Sequence, residues 1–529
     1  LPATHVLADT PQHPFIDTYP QPIDAKLPDL GGFICHLTRA RVHKTALFDR
    51  NPESLVAVPS RPFRSASIRR THTKDYAPAP GVCPMGTHAS PNVLLVVLDS
   101  VRAANCSLYG AARETTPYLS RLADESIVYT QARAPSNWSL PSHVSLFTGL
   151  DAHVHRVTVH DRLRAGHTVF EALAADGYAT GLFSENGFLT GRDAGLADPF
   201  ETVVGVPDDY DDRYDTTVLD PGPDGFYYAD RVLAWSGGVD GPWAACLNLM
   251  DAHRPFEPRE AYDHWGDDRA RTLQSDLPIR WEWAFYGGDR PYWQLGALES
   301  LYDGGIRQAD AVLEHVLESL RSRGALDETL VVVCGDHGDG FGEPGRVPGE
   351  PPAVSHILPM HEELLHVPLV VRPPGGATGE RVDELAALTR FPAVARAHAR
   401  GDPPSRGFTV DRALALKQPV TADLRERFER RCDPAEPYFE PSRAVYENAP
   451  DTSGAVRKHS YWGDTGVTTL VHAPGVVEHR DPIEPETVDR AFRDTANDRD
   501  PDRDPVREPL AGRQPDADVE AQLAALGYY

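Results

Sequence analysis

Two apolar, β-branched runs more than two hundred residues apart dominate the hydrophobic pattern: Val93-Leu94-Leu95-Val96-Val97-Leu98 and Leu330-Val331-Val332-Val333-Cys334. Each ends abruptly at an acid, Asp99 in the first and, after Gly335, Asp336 in the second. A continuous apolar run of this length reads as a strand buried on both faces of a parallel sheet. The acid then falls at the carboxyl edge, where open α/β sheets build their sites. Either run alone reads as a core strand followed by a turn acid. The pair, with Ser139 and His143 in the stretch between, points to chemistry.

Other segments extend the alternation. Thr116 and Pro117 open a helix over 116–123 in the manner of a helix N-terminus, and a second helix over 168–175 precedes a strand over 179–183. A buried strand follows at 243–249 and a long amphipathic helix at about 298–323. A further strand at 366–371 is closed by Pro373-Pro374-Gly375-Gly376. Strands alternating with helices predict an α/β fold, a large mostly parallel central sheet flanked by helices on both faces. That main domain covers 85–400. Beyond it periodicity weakens, and strands at 444–447 and 466–471 predict a smaller C-terminal α+β subdomain over 401–529. Within it, the Pro/Asp/Arg mixture of 480–517 reads as a flexible solvated segment, and 519–528 as a short helix docking back.

Charge separates the first 84 residues from the rest. They carry ten Lys or Arg against seven Asp or Glu, a net of +3, while the whole chain of 529 residues stands at -26. Low periodicity and Pro, Thr, His and Arg content predict a basic, disordered extension, with Met85 as the natural start. Lysine is nearly absent after Lys74, leaving Lys417 and Lys458. This acid-rich, lysine-poor balance resembles proteins of salt-accumulating haloarchaea, whose hydrated carboxylates stay soluble where ~1 M salt shortens the screening length to ~3 Å. An acidic protein from a GC-rich genome is the plainer alternative. No basic stripe exists to serve nucleic acid. The six cysteines lack zinc or disulfide spacing. Apolar runs fall short of the roughly 18 residues a membrane span needs, and no signal peptide pattern opens the chain, so a cytoplasmic location is expected. Oligomeric state leaves no trace in the pattern.

The segment from Asn92 to Gly110 resembles the opening of the sulfatases within the alkaline-phosphatase superfamily. Further blocks follow in order: Thr116-Pro117-Tyr118-Leu119, Trp138-Ser139-Leu140-Pro141-Ser142-His143, Leu146-Phe147-Thr148-Gly149, His253-Arg254-Pro255-Phe256-Glu257-Pro258 and Gly335-Asp336-His337-Gly338. His356 then precedes Val367-Pro368-Leu369-Val370, and the likeness spans roughly 91–375 plus the closing Leu-Gly-Tyr. The resemblance is to a haloarchaeal-type sulfatase. It implies an alkaline-phosphatase-like fold and a sulfatase-like catalytic domain over 85–400.

Sulfuryl or phosphoryl transfer needs an activated nucleophile, neutralised equatorial oxygens and a protonated or clamped leaving oxygen. By resemblance Asp99, Asp336, His337 and Ser139 surround one divalent ion (Ca²⁺, Mg²⁺ or Mn²⁺), which would acidify the Ser139 hydroxyl. Ser139 stands where sulfatases carry a Cys or Ser oxidised to formylglycine. That maturation reads C/S-x-P-x-R, and this chain has His143 in place of the arginine. An unmodified hydroxyl is typical of the related phosphoglycerol transferases and phosphodiesterases. Against the nucleophile stands a plainer role for Ser139 as a helix N-cap. His253 and His143 join Ser139 as candidate catalytic groups, with His253 binding the anion or protonating the leaving group; a turn histidine before proline is its bland counterpart. His356, Arg102 and Asn186 are candidate substrate contacts, Arg102 alternatively closing a strand-end salt bridge. Asp251 is a candidate support for the site, and His361 and His366 compete with His356. Where sulfatases often carry a second acid, this chain has Ser100.

The expected function is a metal-dependent, sulfatase-family hydrolase of a small anionic ester, a sulfate of an alcohol or sugar. A phosphoester hydrolase or phosphoglycerol-type transferase using unmodified Ser139 is the alternative, and a non-catalytic binding relative is the second. Loops 205–240 and 260–297, rich in Tyr, Trp and Asp, are expected to set specificity for a polar, carbohydrate-like group.

Overall fold

The computed structural model describes residues 90–207, 224–278, 281–403, 406–449, 454–473, 476–496 and 506–510. The extension expected over 1–84 and the helix expected over 519–528 lie outside the described residues. All described residues belong to the unit Cys83–Tyr529.

Fifteen strands are described: β1 (Asn92–Leu98), β2 (Ile127–Arg133), β3 (Asp161–Leu163), β4 (Ala179–Ser184), β5 (Thr202–Val204), β6 (Trp243–Leu249), β7 (Thr329–Gly335), β8 (Leu369–Arg372), β9 (Glu380–Ala387), β10 (Arg412–Leu416), β11 (Ser442–Asn448), β12 (Ala455–Trp462), β13 (Thr465–His472), β14 (Val476–Ile483) and β15 (Arg507–Pro509). Eight form the main sheet in the order β5-β4-β6-β1-β7-β8-β2-β9. Only β8 opposes its neighbours β7 and β2; the other pairs run parallel. β15 pairs with β3 alone.

Strand β1 shows why this sheet is buried on both faces. Leu94, Val96 and Leu98 pack into one core with the helix Leu295–Ser322 through Leu301, Ile306, Val312 and Leu313. Val93, Leu95 and Val97 face the opposite core, filled by Leu140, Val144 and Phe147 of the helix Ser139–Thr148 and by Phe170 and Phe391. Each such side chain contributes about 1.5–3 kcal/mol by leaving water, which holds β1 in the middle of the sheet between β6 and β7. Helix starts follow local chemistry. Thr168 accepts from the Glu171 amide while Glu171 accepts from the Thr168 amide, closing a capping box on the helix Val169–Ala175.

Strands β10 to β14 form a second, antiparallel sheet in sequence order. Of the flexible loop expected over 480–517, residues 480–496 form a strand end and a helix, and 497–505 and 511–517 lie outside the described residues. β14 runs to Ile483, and the helix Pro485–Ala496 packs Val488, Ala491 and Phe492 against Leu414, Val445 and Tyr461. Three apolar residues at i, i+3 and i+4 suffice to dock a helix whose other face is charged, and the surrounding Pro, Asp and Arg conceal that stripe. Among the described residues no helix is long and apolar enough to cross a membrane.

The two sheets meet through a buried charge network. Glu362 pairs with Arg133 at 3.0 Å and Lys458 at 3.0 Å and accepts from the Tyr446 hydroxyl at 2.7 Å. Burial alone would push its carboxyl up, but Arg133 and Lys458 outweigh it and hold it at about 2. Its folded value lies below its ordinary 4.5, so its stabilisation is complete above that pH and is lost as pH falls toward 2. The substitution Glu362→Gln leaves two buried cations uncompensated and is expected to cost about 3–5 kcal/mol. Urea unfolding at pH 7 reads that loss, and between pH 4.5 and 2 the variant should show a flatter decline in stability than the parent.

Candidate metal centre and active site

The sheet register brings the two acids together. Leu98 stands opposite Leu249 of β6 on one side and Gly335 of β7 on the other, so all three strands finish at one level. Asp99 and Asp336 emerge there side by side, fully buried. Ser100 follows in the left-handed region at φ 63°, where a non-glycine residue persists only if its surroundings impose it. They do. Its amide donates to Asp336 Oδ1 (3.0 Å), its hydroxyl to Asp99 Oδ1 (3.2 Å), and its carbonyl accepts from the Tyr302 hydroxyl (2.8 Å).

His337 completes the group. Its Nδ1 donates to the Gly338 carbonyl at 2.8 Å, which turns Nε2 toward Asp336 Oδ2 (3.4 Å), Asp99 Oδ1 (3.9 Å) and the Ser139 hydroxyl (3.1 Å). Ligand atoms of Asp99, Asp336 and His337 all lie within 4.8 Å of one another. Asp336 Oδ2 is buried and has no hydrogen-bond donor among the described residues. Two close carboxylates in a dry site, one oxygen unsatisfied, with an imidazole lone pair beside them, fit a divalent cation. The same arrangement without one would bury uncompensated charge.

Ser139 opens the helix Ser139–Thr148 as its first residue. Trp138 holds the N-cap position without a side-chain cap bond, so the Ser139 hydroxyl does not serve as the cap and faces His337 instead. His143, one turn on, donates from Nδ1 to the Ser139 carbonyl (2.9 Å), lies 3.5 Å from Asp336 Oδ2, and pairs through Nε2 with Asn248 Oδ1 at 3.2 Å. Both ring nitrogens are therefore spent on protein oxygens. These contacts hold the helix against β6.

His253 and His356 lie with ring centres 5.3 Å apart, and the His356 ring is tilted against His337 at 4.7 Å. His253 Nδ1 donates to the Arg254 carbonyl at 2.7 Å. Burial pushes its pKa down to about 3, so the ring is neutral at ordinary pH. Asn186 lies beside Asp99. Its amide donates to Asp99 Oδ2 (2.9 Å) and its oxygen caps the short helix Gly187–Thr190. Arg102 is held by ion pairs. Its buried guanidinium pairs with Glu299 and Glu343 and donates to the Asp339 carbonyl and to Asn105. Asp251 turns to the Gly225 amide and Gln308. His361 pairs with Glu350 at 3.4 Å and His366 with the Thr130 carbonyl at 2.8 Å, both as packing groups. Within 260–297, Trp281, Trp283, Phe285 and Tyr286 are core, with Trp283 and Tyr286 against Phe428, while Tyr292 and Trp293 are exposed, Trp293 at 78%.

Three residues at the site escaped sequence reading. Asp339 is fully buried and stands 3.4 Å from His356 Nδ1; burial raises its carboxyl, opposed by Arg254, His253 and His337. Arg254 is held at 2.6 Å by the buried Glu282. Asn248 bridges Asp99, Ser184 and His143. The one signal for Asn248 is a lone amide in an apolar strand, and for Asp339 an acid three residues past Asp336.

Comparison with known proteins identifies the class first. Folds similar to this one occur in a phosphonate monoester hydrolase of Agrobacterium radiobacter (18% identity, TM-score 0.51, 72% of this chain and 89% of that one) and in a 2-O GAG sulfatase (14% identity, TM-score 0.50, 79% and 88%). The fold is alkaline-phosphatase-like, a large mixed sheet between helices with an antiparallel C-terminal sheet. The model of the family described as Sulfatase matches residues 91–398, and the chain belongs to that family. Arylsulfatase A of Homo sapiens is 24% identical over 278 residues, 47% of this chain and 52% of that protein. An N-acetylgalactosamine-6-O-sulfatase of Bacteroides thetaiotaomicron is 26% identical over 189 residues, 31% and 37% respectively. The chain thus spans about half or less of the length of the curated relatives it matches.

Removing one carboxylate separates charge repulsion from ion binding. In EDTA, Asp336→Asn should melt at or above the parent, because one of two adjacent buried charges is gone. With Mg²⁺, Mn²⁺ or Ca²⁺ at a hundred times Kd the parent should gain about 2.7 kcal/mol and the variant nothing. Thermal melts with and without each ion measure both; an equal gain in the variant removes Asp336 from the ligand set.

Proposed function

We propose that this protein is a metal-dependent hydrolase of a sulfate ester, with Ser139 or its oxidised form as the nucleophilic position. The observation that carries this reading is the convergence of Asp99, Asp336 and His337 on the Ser139 hydroxyl, with His253 and His356 facing the same space. Asp99, Asp336 and His337 would hold one divalent ion (Ca²⁺, Mg²⁺ or Mn²⁺), which supplies positive charge for ester oxygens and acidifies a nearby hydroxyl.

The protein's own groups divide the remaining work. The helix Ser139–Thr148 presents the Ser139 hydroxyl at its N-terminus, where unsatisfied amides and the helix dipole favour an anion. His337, with Nδ1 tied to a carbonyl, keeps Nε2 turned to that hydroxyl. His253 donates from Nδ1 to the Arg254 carbonyl and so, as a neutral ring, keeps Nε2 as a proton acceptor. A leaving alkoxide requires a proton, and His253 or His356 would deliver it after taking one up with the substrate. The family model and the sulfatases among the relatives support a sulfuric ester. The amino-sugar sulfatase among them favours a carbohydrate alcohol. The acid-rich, lysine-poor composition favours a medium of high salt.

One observation favours a second reading, a phosphoester or phosphonate ester handled by unmodified serine. The segment Ser139-Leu140-Pro141-Ser142-His143 lacks the arginine of the formylglycine motif. A formylglycine hydrate expels sulfate by collapsing to the aldehyde; a sulfated serine has no such exit, whereas a phosphorylated one is open to in-line attack by water. Assays with p-nitrophenyl sulfate, phosphate and a phosphodiester, each with Mg²⁺, Mn²⁺ and Ca²⁺ in ~1 M KCl, decide between them. Ser139→Ala is expected to lower turnover at least about a thousandfold on the true substrate class. A Ser139 peptide lighter by two hydrogens supports the sulfatase reading, and an intact phosphorylated serine supports the other. Unchanged turnover in Ser139→Ala would remove the serine from the reaction.

A further inference from the structure

Asn248 is the last polar side chain one would expect in its place. It sits at the penultimate position of β6, in the run Ala244-Ala245-Cys246-Leu247-Asn248-Leu249, and is fully buried. A buried primary amide costs free energy unless its donors and acceptor all find partners. This one spends all of them near the metal centre. Its nitrogen donates to Asp99 Oδ2 at 3.2 Å and to the Ser184 hydroxyl at 3.0 Å, and its oxygen pairs with His143 Nε2 at 3.2 Å.

The orientation is fixed by chemistry. An ionised Asp99 oxygen only accepts, so the amide nitrogen must face it, and the carbonyl oxygen is thereby aimed at His143. Asn186 donates to the same Asp99 oxygen at 2.9 Å. Two amides therefore occupy Oδ2 and leave Oδ1 on the side of His337. On its other edge, His143 donates to the Ser139 carbonyl. One amide thus connects a carboxylate on β1 with the helix that carries the nucleophilic position, through the histidine that replaces arginine in the formylglycine motif.

We propose that Asn248 is a positioning residue that sets the distance and angle between the Asp99 carboxylate and the Ser139 helix. This rests on the metal-site reading above and deepens it. Asparagine suits the position because its amide presents two donors on one atom and an acceptor on another, and all are used here. Aspartate would oppose a second carboxylate to Asp99, and leucine would strip both Asp99 and His143 of a partner.

Outer groups that orient metal ligands commonly change affinity or activity ten- to a hundredfold when removed. The test compares the parent, Asp336→Asn and Asn248→Leu by Mn²⁺ titration calorimetry, by melting in EDTA, and by kcat and KM on whichever p-nitrophenyl ester the parent turns over. The expected result for Asn248→Leu is Mn²⁺ affinity weakened at least about tenfold, a similar fall in kcat, and KM within about twofold. Melting in EDTA should confirm that the variant is folded. Should that variant fail to fold, Asn248→Ser, too short to bridge Asp99 and His143 together, is held to the same tenfold loss. If Asp336→Asn abolishes Mn²⁺ binding while the Asn248 variant binds like the parent, the positioning role is overturned and the metal site stands. If the parent itself takes up no Mn²⁺, Mg²⁺ or Ca²⁺, the metal reading falls, and the positioning proposal with it.

Discussion

Two carboxylates buried within a few ångströms of each other are the constraint around which this structure is arranged. At an effective dielectric constant of about 20, unit charges ~4 Å apart repel by about 4 kcal/mol, before either pays for leaving water. The chain surrounds Asp99 and Asp336 with donors. The Ser100 amide and hydroxyl, the His337 amide at 2.9 Å from Asp336 Oδ1, and the amides of Asn186 and Asn248 all serve them. Such donors are neutral and lower the cost without cancelling the charge. Among the described residues, no arginine or lysine forms an ion pair with either acid. Arg102 is engaged by Glu299 and Glu343, and Arg254 by Glu282. His143, which donates from both ring nitrogens 3.5 Å from Asp336 Oδ2, offsets at most one of the two charges, and a bound divalent ion would supply the rest.

Backbone geometry makes that juxtaposition rigid. Parallel strands finish level, so the register Leu98–Gly335 places residues distant in sequence at one edge with no loop to position them. The left-handed Ser100 turn then directs the chain away, and Tyr302 clamps it by accepting from the Arg102 amide and donating to the Ser100 carbonyl. The same helix that contributes Tyr302 fills one core beneath the sheet. Packing and site geometry are therefore set by shared residues, and a change in that helix would be felt at the carboxylates.

What was legible in the sequence follows from what a side chain's own neighbours can reveal. β1 and β7 announce themselves because they are buried on both faces and read as long apolar runs, and β4 and β6 carry shorter apolar stretches of the same kind. β2 does not. Its Gln131 and Arg133 read as polar positions, yet Gln131 donates to the Gly454 and Val471 carbonyls and Arg133 pairs with Glu362, so later segments cover them. The burial of 281–286, inside the Tyr- and Trp-rich stretch 260–297, is hidden for the same reason. Whether Trp283 and Tyr286 are exposed depends on Phe428 and Tyr438, more than a hundred residues downstream. Asp99, Asp336, His337 and Ser139 were legible through motif and strand end. Asn248 and Asp339 were not, because a single buried polar residue has no periodicity to betray its partners.

The charge state of the surroundings bears on which ester the site would prefer. His253 is neutral by burial, and the two nearby arginines are neutralised by glutamates. Fixed positive charge facing the substrate would then come chiefly from the ion, less the charge of its two carboxylates. A phosphate monoester near neutral pH brings close to two negative charges, whereas a sulfate monoester, a phosphodiester or a phosphonate monoester brings one. A site that offers so little net positive charge favours the singly charged group, because the second charge would be buried without a partner. On this argument the division that matters lies between monoanionic esters and the phosphate dianion. Under the chemistry proposed above, sulfur against phosphorus would then be decided by how a covalent intermediate leaves position 139, the step on which the histidine at 143, in place of the formylglycine arginine, would bear.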